Sequence, residues 1–232
     1  MRRQKAEERS ARRWDRRAST YDTTEAGNEV LYGMIVERSR RYLDGGDIVL
    51  DFGCGAGALT YRLAPHVMSL RGVDISSRMI EIAKTKTTQQ PMEGLQFLQG
   101  SIFDEAFERE SFDTIVASGV LHVLRNRHEV LVRLSELLKP GGWLLSATPC
   151  MAENQPLMKF FNLAAALANG IRILPYGRLP NASEIDKAIS QGGFELHETE
   201  NLPFDRRPDM AYVFSRFAAA KKRGAWDGQD VN

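Results

Sequence analysis

Val49-Leu50-Asp51-Phe52-Gly53-Cys54-Gly55-Ala56-Gly57-Ala58 is the stretch whose reading decides the fold. Ile48, Val49, Leu50 and Phe52 make a short apolar run of strand length, followed by glycines at alternate positions and then a helical pattern from about Leu59 to His66. A strand passing through glycines into a helix is the first half of a βαβ unit. In an open parallel sheet that turn lies at the carboxyl end of the strands, where ligands bind. Glycine suits the turn because a side chain would hold the backbone away from a ligand and would penalise positive φ.

Outward from this segment the same rhythm repeats. Strands are predicted at Met68 to Asp74, Leu95 to Gln99, Phe112 to Ser118 and Trp143 to Thr148, with helical patterns near 77–87 and 124–138 between them. Alternating strands and helices predict an α/β fold, a mostly parallel sheet with helices on both faces. Lys139-Pro140-Gly141-Gly142 reads as a helix stop and turn ahead of the fifth strand. Upstream, Val30, Leu31, Met34, Ile35 and Leu43 trace a helix that stops at Gly45-Gly46. Residues 149–181 break the rhythm. Leu157, Phe160, Phe161, Ala164, Leu167 and Ile171 recur at helical intervals there and read as an inserted cap. A helix from Ser183 to Gln191, a Gly192-Gly193 stop and two strands near 194–201 and 210–217 finish the pattern. The division expected is an N-terminal helical lid over 1–45, one domain over 46–217 with its cap at about 149–181, and a C-terminal tail over 218–232.

Composition narrows the function classes. The 232 residues are 43% hydrophobic and 26% charged, enough apolar material for a sizeable core. Lys and Arg number 31 against 30 Asp and Glu, so no global charge excess argues for nucleic acid or acidic lipid as partner. Residues 1–22 hold eight basic side chains, but Glu7, Glu8, Asp15 and Asp22 are interspersed, a pattern of a solvated helix with Trp14, Ala18 and Tyr21 on its docking face. Two cysteines, Cys54 and Cys150, are too few for a disulfide framework or a structural zinc site and fit a reducing, cytoplasmic setting; no metal is expected. No run approaches the ~18 apolar residues of a membrane span. Monomer and homodimer are equally compatible with the sequence.

The glycine loop alone is ambiguous, because Gly53, Gly55 and Ala58 also match the G-x-G-x-x-G/A fingerprint of dinucleotide binders. Asp74, in Arg71-Gly72-Val73-Asp74-Ile75-Ser76, falls about 20 residues on, where a carboxylate accepts hydrogen bonds from ribose hydroxyls. That serves nicotinamide dinucleotide and S-adenosyl-L-methionine alike. Asp51 separates them: a carboxylate beside the turn repels a pyrophosphate and attracts an ammonium and a sulfonium. Asp51-Phe52-Gly53 also spells a kinase magnesium triplet, but the His-Arg-Asp loop is missing. A P-loop needs Gly-Lys-Ser/Thr where Ala58-Leu59-Thr60 stands.

Several segments in order then resemble one family. Leu50-Asp51-Phe52-Gly53-Cys54-Gly55 resembles motif I of the class I S-adenosylmethionine-dependent methyltransferases. Gly72-Val73-Asp74-Ile75-Ser76 with Met79, Phe97-Leu98-Gln99-Gly100-Ser101, and Phe112 to Ser118 with Leu121-His122 resemble the next three motifs, and Leu138-Lys139-Pro140-Gly141-Gly142 the segment after them. The likeness is closest to the small-molecule branch labelled type 11 or UbiE-like. It implies a Rossmann-like seven-stranded methyltransferase sheet, mostly parallel with the last strand antiparallel. It implies that Gly53, Cys54, Gly55 and Gly57 line the methionine part of the donor, that Asp51 holds its amino group, and that Asp74 binds the ribose. Ile75 and Met79 would pack on adenine, and Ser101 and Ile102 would meet its edge, where relatives place an aspartate. Ala117 and Ser118 would face the amino-acid moiety. Tyr21 resembles a lid tyrosine closing over the donor.

The activity implied is in-line displacement of S-adenosyl-L-homocysteine by a small-molecule acceptor, hydrophobic or aromatic if the cap roofs its pocket. His122 is the first candidate for a general base, although a histidine opening a helix is also a packing or capping residue. Two competitors stay open: a module that binds the donor without catalysis, and a nicotinamide-dependent oxidoreductase. Amino-methylating nucleic-acid enzymes carry a Pro-Pro-aromatic cluster after the fourth strand, and Ser118-Gly119-Val120-Leu121 has no proline.

Overall fold

A computed structural model describes residues 2–20, 28–152, 179–203 and 213–224. These residues build a seven-stranded sheet of order β3-β2-β1-β4-β5-β7-β6. The strands are β1 (Ile48–Phe52), β2 (Ser69–Asp74), β3 (Leu95–Gln99), β4 (Phe112–Ser118), β5 (Leu138–Met151), β6 (Phe194–Pro203) and β7 (Val213–Lys222). Helices α1 (Arg2–Asp15), α2 (Glu29–Ser39), α3 (Ala58–Leu63), α4 (Ser77–Gln89), α5 (Arg127–Leu137) and α6 (Ala182–Gln191) accompany them. The first five strands run parallel, and β7 is antiparallel to both β5 and β6. The chain winds outward from β1 to β3 and then returns to β4 on the other side of β1. Beyond the carboxyl ends of β1 and β4 the connections part to opposite faces and leave a crevice.

The pleat sends successive apolar residues to opposite faces, which is why the central strands read as unbroken hydrophobic runs. Leu50, Ile115 and Leu144 enter one core cluster with Leu131 and Leu134 of α5 and Ile185 and Ile189 of α6. Val49, Val116 and Leu145 enter the other with Leu59 and Leu63 of α3 and Leu31 and Ile35 of α2.

Four expectations shift. Helix α2 is structural cover, because its buried Leu31 and Ile35 complete the second cluster; the segment 1–45 is not a lid throughout. That helix ends at Ser39, ahead of the glycines, where Asp44 organises a turn by accepting the Gly46 N–H at 3.0 Å. The Lys139-Pro140-Gly141-Gly142 turn is absorbed into β5 as a bulge: Phe112 faces Leu138 and Thr114 faces Trp143, while Lys139 Nζ reaches both oxygens of Asp113 at 2.7 Å. Finally, β7 runs to Lys222, where Lys221 pairs with Trp143 and Lys222 with Phe194, so the sheet extends past the strand end expected at 217. Most of the cap, and Tyr21, lie outside the described residues.

Candidate active site

The loop after β1 folds back onto β2. The N–H groups of Gly53 and Cys54 both donate to the Val73 carbonyl, at 2.8 and 3.1 Å, and Gly57 N–H donates to Cys54 O at 3.0 Å. Glycine is required at two positions for separate reasons of space. Gly53 has φ +72°, and a Cβ there would sit 2.7 Å from Val120 Cγ2. Gly57 has φ +82°, and a Cβ would sit 2.7 Å from Phe97 Cζ. Cys54 is buried, with Sγ 3.7 Å from Gly55 O, and fills space inside the turn.

Two carboxylates flank this bare backbone. Asp74, the last residue of β2, accepts the Gly55 N–H on Oδ2 at 3.1 Å and the Ser76 N–H on Oδ1 at 2.8 Å. Burial pushes its carboxyl above the ordinary carboxylate range; the amide donors oppose that shift, and the nearby Asp15 charge adds to it. Asp51 is 2% exposed and accepts the Thr60 hydroxyl proton from α3 at 2.6 Å. Each oxygen so engaged keeps acceptor capacity for a second donor.

The β4 side of the crevice is open backbone. Pairing of β1 with β4 stops at Asp51 opposite Val116, whereas β4 continues along β5 to Ser118 opposite Ala147. Ala117 and Ser118 therefore turn their β1-side edges toward the glycine loop. The Ala117 side chain is buried in the core, so its contribution is through the main chain. Gly119 N–H donates to Ala147 O at 2.8 Å and turns the chain into the 3-10 turn Leu121–Val123, which carries His122. Burial, with Arg127 close by, lowers the His122 pKa to about 4. Arg127 is half-buried and donates from Nε to Leu121 O at 2.8 Å. Cys150 is buried with its pKa raised to about 12, so it stays a thiol and is inert.

On the β2–β3 side, Gly100 N–H donates to Asp74 O at 3.0 Å and brings Ser101 alongside Asp74. Ile75 is partly buried, and Met79 is 1% exposed beneath Ala18 and Ala56, with Trp14 against the same cluster. Ile102 turns its side chain into the core, and its carbonyl accepts Arg133 Nε at 3.0 Å. Tyr21 lies outside the described residues, so its placement is not among these contacts. Three contacts beside the site are not legible in the motifs. Thr60 positions Asp51, Asp15 Oδ1 accepts from Ser76 Oγ at 2.7 Å and Arg78 N at 3.2 Å, and Glu7 Oε1 accepts from Ser101 Oγ at 2.9 Å. The available signal for α1 was its Trp14-Ala18 stripe, which marks a docking face and not what the face docks on.

The crevice offers buried negative charge, hydroxyl-binding carboxylate and bare backbone, a donor set suited to a nucleoside carrying positive charge and ill suited to a diphosphate. Comparison with known proteins agrees. A methyltransferase domain family matches residues 43–198. A demethylmenaquinone methyltransferase from Lactococcus lactis is 33% identical over 125 residues, covering 51% of this chain and 47% of that protein. A malonyl-[acyl-carrier protein] O-methyltransferase from Priestia megaterium is 29% identical over 140 residues, covering 59% and 50%. The chain thus spans about half the length of the curated relatives it matches. A solved SAM-dependent methyltransferase from Methanosarcina mazei superposes with a TM-score of 0.64 at 20% identity, over 78% of this chain and 95% of that one, which shows a shared fold. With its strand order, its glycine loop between Asp51 and Asp74 and the match over most of its length, the chain belongs to the methyltransferase-domain family.

Proposed function

We propose that the protein is an S-adenosylmethionine-dependent methyltransferase acting on a small-molecule acceptor. The observation that carries this is the pairing of Asp51 and Asp74 on either side of the Gly53-to-Gly57 turn at the point where the strand order reverses. Bound S-adenosylmethionine supplies an electrophilic methyl on a sulfonium whose leaving group is S-adenosylhomocysteine. The chain's task is then to hold two reactants in line and to exclude water. Asp74 accepts the ribose hydroxyls while Gly55 and Ser76 fix its orientation. Asp51, oriented by Thr60, attracts the ammonium, and the Ala117-Ser118 main chain lines the same side. Ile75, Met79, Ser101 and Ile102 border the base.

His122 is neutral through the physiological range, and a base with a pKa of about 4 removes protons weakly. Its proposed role is therefore to orient the acceptor by a hydrogen bond, the acceptor supplying its own nucleophilicity. The similarity to a demethylmenaquinone methyltransferase supports a small acceptor with an apolar portion. The two buried thiols support a cytoplasmic setting, and among the described residues no helix is long and apolar enough to cross a membrane. A monomer or homodimer is consistent with this function.

Calorimetric titration with S-adenosylhomocysteine is expected to show saturable binding and thermal protection, and incubation with the methyl donor plus quinol, carboxylic-acid and amine acceptors is expected to release S-adenosylhomocysteine with one class. No heat and no protection with donor or product overturns the proposal. Binding without turnover on any class would leave a donor-binding module, and binding of a nicotinamide dinucleotide instead would make it an oxidoreductase site.

A further inference from the structure

We propose that Glu7, carried on α1, determines base specificity in the donor site: anchored by Ser101, it presents a carboxylate to the amine-bearing edge of adenine. This rests on reading the crevice as an S-adenosylmethionine site. Along the carboxyl edge of the sheet the order is β4, β1, β2, β3, and the polar groups follow it. The main-chain edge of Ala117-Ser118 and Asp51 lie at β4 and β1, and Asp74 lies at β2. A nucleoside whose ribose is held at β2, with its charged arm toward β1, must extend its base toward the end of β3, where Ser101 stands beside Asp74.

The hydrogen-bonding character there is one-sided. The Ser101 N–H donates to Asp104 Oδ2 at 2.8 Å, and the Ser101 hydroxyl donates to Glu7 Oε1 at 2.9 Å while accepting the Phe103 N–H at 3.3 Å. With its proton spent on Glu7 and one lone pair on Phe103 N–H, the Ser101 hydroxyl offers a ligand only its remaining lone pair, and Glu7 adds a negatively charged oxygen beside it. Glu7 is not a stray surface residue. It heads the partly buried stripe Glu7, Ser10, Ala11, Trp14 of α1, whose neighbours Glu8, Arg9, Arg12 and Arg13 are exposed. The helix is pinned at both ends. The Arg3 guanidinium lies 4.2 Å over the Phe103 ring and 3.2 Å from Glu129, and Asp15 accepts from Ser76 and from the first turn of α4. Adenine presents an amine donor where hypoxanthine and guanine present a carbonyl acceptor. A carboxylate pairs with the first and repels the second.

The protein with α1 intact, its Glu7→Ala and Ser101→Ala variants and the double variant Glu7→Ala/Ser101→Asp are titrated with S-adenosylhomocysteine and with its hypoxanthine counterpart, S-inosylhomocysteine. Wild type is expected to prefer the adenosyl ligand by about tenfold or more, as for a charge-assisted hydrogen bond. Glu7→Ala should weaken the adenosyl ligand by about that factor and leave the inosyl ligand unchanged or tighter, Ser101→Ala should do so in part, and the double variant should restore the preference from the strand side. Wild-type preference retained in Glu7→Ala, or equal loss of both ligands, overturns the proposal; the latter outcome would assign Glu7 to helix docking alone. Equal binding of both ligands by wild type defeats this inference only, whereas binding of neither defeats the donor-site reading and this inference with it.

Discussion

Thr60 Oγ1 lies 2.6 Å from Asp51 Oδ2, and both residues are buried, Thr60 completely. A helix residue nine positions further along the chain thus holds a strand carboxylate at the mouth of the crevice. The orientation of the charge is set before any ligand arrives, which lowers the cost of binding a cation there.

Substitutions at the two positions should therefore act in opposite directions. Thr60→Val keeps the shape and removes the donor, leaving a buried carboxylate short of a partner. It should cost about 1–3 kcal/mol of stability and loosen S-adenosylhomocysteine binding only modestly. Asp51→Asn still accepts the Thr60 proton, and it removes a buried charge, so stability should hold or rise while donor affinity falls by about tenfold or more. Denaturant unfolding and calorimetry on both variants check this; parallel losses in both measurements would refute the division of roles.

Gly53→Ala brings two penalties that can be separated. The φ of +72° costs roughly 1–2 kcal/mol for any L-residue, and the new methyl would press within 2.7 Å of Val120 Cγ2. Gly53→Ala should lower both the melting temperature and the donor affinity. Adding Val120→Ala should recover the steric part alone, so the double variant is expected between the single variant and wild type after correction for the Val120 truncation itself. A double-mutant cycle measures that coupling.

How far the sequence could be read depended on how local the deciding physics is. β3 and β4 were placed at their observed limits, Leu95–Gln99 and Phe112–Ser118, because each is a short buried run bounded by turn-forming residues. The glycine loop and its two aspartates were legible for the same reason: strand, turn and helix follow one another in the chain. Pro140 and Gly141 misled, since turn chemistry inside β5 is compensated by the Lys139–Asp113 ion pair to a neighbouring strand, a contact 26 positions away. Helix α2 carried an apolar stripe that revealed a docked face but not that the face completes the core. Glu7 and Ser101 are separated by 94 positions, and in a mixed-charge helix no pattern distinguishes the acids that turn inward, Glu7 and Asp15, from Glu8, which faces solvent.

Asp74 sets stability against function. Its pKa is raised by burial above the unfolded carboxylate value, so its contribution to folding is fully present below that unfolded value and is lost as pH rises through the raised one. At neutral pH the ligand-free protein thus holds this charge at a cost. Asp74→Asn removes the charge but sets its amide NH2 against the N–H of either Gly55 or Ser76, so the expected signature is in the slope: wild-type stability should rise on acidification into the acid range by more than that of Asp74→Asn. Ribose hydroxyls donate to the ionised form, so wild-type affinity for S-adenosylhomocysteine should fall on acidification before ordinary carboxylates protonate, and Asp74→Asn should show a weak affinity without that dependence. Melting and titration series across pH test both slopes, and a wild-type affinity flat from neutral into the acid range would contradict them.

His122 titrates in the opposite sense. Its pKa is lowered from 6.5 to about 4, first by burial and then by the Arg127 charge. The unfolded chain therefore takes up a proton near pH 6.5 that the folded protein refuses until about pH 4, and stability is lost progressively as pH falls between those values, by about 3 kcal/mol. Replacement by the uncharged His122→Gln should remove that part of the acid sensitivity while costing little at neutral pH. Turnover should respond differently. A neutral imidazole across the physiological range gives no inflection where a free histidine titrates, so kcat plotted against pH should be flat from about 6 to 8 unless the acceptor itself ionises there. His122→Gln, which preserves hydrogen bonding, should keep most of kcat and raise KM for the acceptor several-fold. A wild-type inflection near pH 6.5 that disappears in His122→Gln together with most of kcat would instead identify the imidazole as a general base, and would mean that acceptor binding raises its pKa by more than two units.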